Sequence, residues 1–205
     1  MKTWTIALCI LIIVAFALWY YFHTYHEESY IKSDIDNRVY LIRRGRNKSD
    51  AFLKESANVL AIINQRIERL IDHLDKTFSN DNTKSYFIKK LKENYNPYMI
   101  SEAAVDPRYT TFTVDKKDIN ICLRTRNQYE KIYDINLLMY VVLHELAHLC
   151  NYSRDGTPII GHGKEFKEIF AFLVSESIKL KLYEYENYSK SPKEYCNIVI
   201  NSSII

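Results

Sequence analysis

The sequence predicts an α+β chain, built on a buried helix beside a small β-hairpin and preceded by one N-terminal transmembrane helix. Three observations predict it. Residues 135–149 form a strongly apolar run behind Asp134, which stands where a helix N-cap should be. Stretches 109–114 and 119–125 alternate apolar with polar residues and are rich in β-branched types, with Asp115-Lys116-Lys117-Asp118 as a turn between them. Residues 4–22 carry no charge and only Thr5 breaks their apolar character.

Residues 1–22 read as a transmembrane anchor. Nineteen residues of helix rise about 28 Å, close to the hydrocarbon thickness. Trp4 at one end and Trp19, Tyr20, Tyr21 and Phe22 at the other stand where aromatic belts form. Ala15-Phe16-Ala17 resembles a signal-peptide cleavage site, but the apolar run continues five residues past it, which favours an uncleaved anchor. The basic residues that follow, Lys32, Arg38, Arg43, Arg44, Arg46 and Lys48, favour a single-pass topology with the main domain in the cytosol.

Residues 23–48 read as a juxtamembrane linker with a short strand over 39–42, and the basic run 43–48 as linker or lipid-headgroup contact. Residues 49–205 form the main domain. Ser49 or Asp50 caps a long helix to about Phe78. Its apolar residues Phe52, Leu60, Ile63, Ile67, Leu70, Ile71 and Leu74 recur at three and four, and His73 on it reads as a surface residue. A shorter helix over 84–94 ends at Asn96-Pro97.

The chemistry lies in His144-Glu145-Leu146-Ala147-His148. On a helix, imidazoles four residues apart stack on one face and can share a Zn²⁺, with the intervening Glu145 close enough to act as general base. So apolar a helix is buried, and burying three such groups without partners costs a few kcal/mol each; a metal removes that cost. A catalytic zinc takes a third protein ligand and keeps a fourth position open. Asp155-Gly156 and Thr157-Pro158 end the helix and turn the chain back. His162 follows, flanked by Gly161 and Gly163, and then an amphipathic stretch over 164–174 begins. His162 is the expected third ligand and Glu168 its rival.

His-Glu-Leu-Ala-His, a turn, then Gly-His-Gly-x-x-Phe from Gly161 to Phe166 resembles the zincin metallopeptidases of the SprT-like and WLM type. The resemblance covers mainly residues 134–175, about a fifth of the chain. It implies a zincin-like metallopeptidase domain, one catalytic zinc on His144, His148 and His162, Glu145 as general base, and a protein or peptide substrate. By the same analogy the 119–125 strand is a substrate-binding edge. Two alternatives stay open: an inactive, zinc-stabilised membrane scaffold or binding protein, and a protease of DNA-bound proteins.

Other features exclude more than they assign. Cys9, Cys122, Cys150 and Cys196 are widely spaced with no Cys-x-x-Cys, so thiolate zinc is unsupported and free thiols are the expectation. The net charge of +3 and the lack of a basic, aromatic face give no expectation of nucleic-acid binding. A tyrosine from the 183–188 stretch could sit near the metal, but surface packing is the ordinary role for such residues. Abundant Ile, Asn, Lys and Tyr with only four Gly and four Pro suggests an AT-rich coding genome, that of a parasite or large virus.

Overall fold

The computed structural model describes residues 2–25, 28–45, 48–104, 111–114 and 116–205. Arg46, Tyr109, Thr110 and Asp115, used in the reading above, lie outside the described residues. The first helix, α1 (Lys2–Tyr25), carries exposed Leu8, Leu11, Ile13, Phe16 and Trp19. Among the described residues, however, no helix is long and apolar enough to cross a membrane. The expected transmembrane anchor and single-pass membrane location are therefore not upheld.

The remaining elements make an α+β fold. Strands β1 (Glu28–Lys32) and β2 (Val39–Arg43) pair antiparallel, with Glu28 opposite Arg43. Tyr40 and Ile42 are buried, so this hairpin is built into the core rather than linking to it. Arg43 is buried too. Its backbone N–H donates to Glu102 Oε2 at 3.0 Å and its guanidinium lies 3.3 Å from Glu130 Oε1, so it is no headgroup contact.

Helix α2 (Asp50–Phe78) starts as its sequence dictates: the Ser49 hydroxyl accepts from the Phe52 N–H. One stripe, including Leu53, Leu60, Ile63, Ile67, Leu70 and Leu74, is buried. Asn64 interrupts it at no loss, because its amide donates to Tyr40 Oη and Pro97 O, each at 2.8 Å. Helix α3 (Ser85–Asn94) follows, then a 3₁₀ turn at Pro97–Met99.

A three-stranded sheet comes next. Strands β3 (Ile100–Glu102), β4 (Phe112–Val114) and β5 (Asp118–Ile121) lie in the order β3-β5-β4. β5 runs parallel to β3, with Ile100 opposite Ile119, and antiparallel to β4, with Phe112 opposite Asn120. The predicted hairpin is present, but its second strand is central and β4 forms the edge. The expected substrate edge on 119–125 is thus replaced: β5 is paired on both sides, so its backbone groups are spent within the sheet.

Helix α4 (Ile135–Cys150) is the hub, touching α2, α3, β4 and the last helix, α5 (Lys164–Lys179). Asp134 caps α4 by accepting from the N–H groups of Asn136, at 2.8 Å, and Leu137. Leu138, Met139, Val142, Leu143, Leu146 and Ala147 are fully buried, which explains why so short a helix can be so apolar. A C-terminal hairpin, β6 (Lys193–Tyr195) and β7 (Ile198–Ile200), is tied back by a Cys122–Cys196 disulfide. Of the four cysteines expected as free thiols, only Cys9 and Cys150 remain so. The bridge was invisible in sequence because 74 residues separate its ends.

Candidate metal centre

The centre is assembled from α4, the turn behind it and the first turn of α5. Helical spacing places His144 and His148 on one face, their ring centroids 4.9 Å apart. The return of the chain is built by short-range hydrogen bonds. The Ser153 N–H donates to Thr157 O at 3.0 Å, the Gly156 N–H to Ser153 O at 2.9 Å, and the Ile159 N–H to Asn151 O at 3.0 Å. Gly156 and Gly161 hold φ of 88° and 87°, the left-handed region that favours glycine, and so allow the two sharp bends. His162 then lands over α4. Its Nε2 is 3.0 Å from His144 Nε2 and 3.0 Å from His148 Nε2, and those two atoms are 3.2 Å apart.

Among the described residues these three histidines form the one His/Cys/Asp/Glu group close enough to hold a metal ion. Glu168, the rival third ligand, stands on the exposed side of α5 beside Lys164, 3.8 Å away, and is not part of the group. Burial, and then the neighbouring imidazoles, push His144 down to about 3 and His148 down to about 4. Both are neutral at pH 7, with a lone pair free to bind a cation.

Glu145 is only 6% exposed. Burial pushes its carboxyl up to about 7, and hydrogen bonds from Thr113 on β4 oppose the rise. The Thr113 hydroxyl donates to Glu145 Oε2 at 2.7 Å. That holds one carboxylate oxygen and fixes the orientation of the other. The edge strand β4 and helix α4 are therefore joined at the carboxylate itself.

The roles of two further residues escaped the sequence reading, although Phe166 closes the Gly-His-Gly-x-x-Phe pattern. Phe166 is buried beneath the cluster, its ring centroid 4.9, 4.3 and 4.7 Å from those of His144, His148 and His162. Its position four residues after His162, on the first turn of α5, is the signal that could have found it. Lys116, in the β4–β5 turn, donates to the carbonyls of His148 at 2.7 Å and Asn151 at 2.8 Å. It caps the C-terminal end of α4 with a cation, as the helix dipole favours. None of the tyrosines of 183–188 lines either cavity at the imidazoles; Tyr183 and Tyr188 are core residues. His73, read as a surface residue, is half-buried and lies 3.1 Å from the buried Glu176 carboxylate.

No family model matches the chain, and no solved structure does. Sequence relatives do exist. An uncharacterized protein of Acanthamoeba polyphaga mimivirus is 38% identical over 208 residues, the whole of both chains. An uncharacterized protein of Invertebrate iridescent virus 6 is 26% identical over 80% of this chain and 85% of its own length. A third, from Invertebrate iridescent virus 3, is 38% identical over 43% of this chain and half of its own length. With that identity over the full length of both sequences, the chain belongs to the family of the mimivirus protein.

Proposed function

We propose that the protein is a zinc-dependent peptidase, with His144, His148 and His162 as metal ligands and Glu145 as general base. The observation that carries this reading is the triangle of Nε2 atoms, 3.0–3.2 Å on a side, with a buried carboxylate from the same helix beside it. Tetrahedral zinc with nitrogen ligands at about 2.0–2.1 Å holds them about 3.3 Å apart, so the donor set fits the ion in both chemistry and size. A structural zinc site is closed by a fourth protein ligand. Here the third histidine is exposed and the cluster borders open cavities, which favours a catalytic role over a scaffold.

A zinc ion held there acidifies water and polarises a peptide carbonyl. The rest falls to the protein. Glu145 takes a proton from the attacking water and returns it to the leaving amine as the C–N bond breaks. Thr113 steadies the carboxylate through both transfers. Phe166 packs the imidazoles into one arrangement and keeps their inner faces dry.

Elemental analysis of the purified full chain should find one zinc, and His162→Ala should lose most of it. Glu145→Gln keeps the size of the side chain and all three ligands. It should hold one zinc while peptide hydrolysis falls at least a hundredfold. An active Glu145→Gln variant would remove the base assignment. A folded parent that binds no zinc would remove the peptidase.

A further inference from the structure

The imidazoles lie where two cavities meet. The larger, about 750 Å³, runs under β4 between Phe112, Thr113, Lys116, Tyr152 and Ile160. The smaller, about 380 Å³, opens on the other side, over Tyr140 and Val141 of α4 and Phe166 and Phe170 of α5. Thr111, His144, Glu145 and His162 line both, so the two form one groove crossing the cluster. Apart from Glu145 and Lys167, the described residues lining the smaller cavity carry no charge.

The outer wall of that cavity is residues 198–204. This wall is fixed rather than loose. The disulfide at Cys196 holds one end. At the other, the Tyr140 hydroxyl donates to Ser202 O at 3.3 Å and accepts from the Ile204 N–H at 3.1 Å. The Ser203 hydroxyl donates to Glu186 O and accepts from the Tyr188 N–H, both at 2.9 Å.

We propose that the smaller cavity is a subsite for one large apolar side chain, aromatic or branched aliphatic, of an extended peptide. The peptide backbone lies along β4, which among the described strands pairs on one side only. The proposal rests on the peptidase reading for the occupant and on three observations for the place: continuity with the cluster, a lining whose only charged residues, among those described, are Glu145 and Lys167, and an anchored wall. A cavity of this size is within the ordinary range for ligand sites and too roomy for a small side chain to fill.

The test uses the full chain in two separate readings. The first is binding to metal-free Glu145→Gln, followed by fluorescence anisotropy with labelled hexapeptides of alanine carrying one phenylalanine or one aspartate. The phenylalanine peptides should bind at least tenfold more tightly. Ile198→Asp, at an exposed wall position, should erase the difference, and equal affinities in the parent would overturn the subsite. The second is cleavage of a mixed peptide library by the zinc-loaded chain, read by mass spectrometry. Cuts should cluster beside large apolar residues, and Val141→Phe, which narrows the cavity, should shift them toward alanine and serine. Cleavage without preference, or with the same preference in both variants, sinks the subsite and leaves the peptidase standing. Selective binding with no cleavage of any peptide leaves the subsite and sinks the peptidase.

Discussion

Thr113 and Glu145 come from elements 32 residues apart, and their 2.7 Å hydrogen bond is the contact that joins the edge strand to the proposed base. Thr113→Val keeps the shape and removes the donor. It should lower kcat about tenfold with KM little changed, and Thr113→Ser should restore it. A change in KM alone would mean that Thr113 touches substrate instead. The imidazoles carry a second expectation, for the metal-free chain. His144 and His148 have folded values near 3 and 4, against 6.5 for a free histidine. Below pH 6.5 the unfolded chain therefore holds more protons than the folded one, and stability falls as the pH drops from 6.5 toward 4. Glu145, raised to about 7 in the folded chain, works the other way over the same range and offsets part of the loss. Two histidines outweigh one carboxyl, so thermal melts of the metal-free chain should show the midpoint falling, more steeply in Glu145→Gln than in the parent, and a flat profile in Glu145→Gln would contradict the burial of these rings. The positions of His144, Glu145 and His148 were legible because helical spacing alone sets them. His162 was legible because two glycines and a turn signal foretold the chain reversal. Thr113 and Lys116 were not, since each acts across elements that sequence spacing does not relate, and Phe166 was visible only as the last residue of the Gly-His-Gly-x-x-Phe pattern, without its packing role.

At the scale of elements, α4 was the most readable part: its Asp134 cap and apolar run gave both bounds, because cap chemistry and burial act locally. The hairpin was readable as a hairpin, yet its place in the sheet was not. Strand order depends on β3, three residues long, which pairs in parallel with β5 and takes its outer edge. The disulfide was likewise a product of the fold. It closes a loop of about 74 residues and tethers the C-terminal hairpin. Cys122→Ser should lower stability by up to about 4 kcal/mol in non-reducing denaturant titrations, most of it through the unfolded state. Reduction of the parent should reproduce that loss, and an unchanged midpoint in both would mean that the bridge contributes nothing.

For the molecule as a whole, a buried ionic knot joins regions that the sequence keeps apart. Arg124 is fully buried. Its Nε donates to Glu102 Oε1 at 2.6 Å, its Nη2 to Glu102 Oε2 at 2.8 Å and to the Arg43 carbonyl. Glu102 thus faces two buried guanidiniums, one from β2 and one from the chain after β5. Glu102→Gln should destabilise the fold by about 3–5 kcal/mol, because one of the carboxylates that face buried Arg43 and Arg124 loses its charge. Denaturant unfolding checks it, and a loss under 1 kcal/mol would show the knot to be solvated. Nothing in the sequence marked these residues as core; Arg43 read as part of a basic surface run, and only the packing of β2 on α2 and β3 turned it inward. The first helix is the other departure from the sequence reading, since among the described residues no helix is long and apolar enough to cross a membrane. The anchored wall of residues 198–204 also has a practical side. Because Ile204 borders the same cavity as His144 and His162, a polyhistidine purification tag placed after Ile205 would bring extra imidazoles to the cleft. It would both scavenge the ion counted in a metal assay and stand in the path of the proposed peptide substrate, so the handle belongs at the other end of the chain.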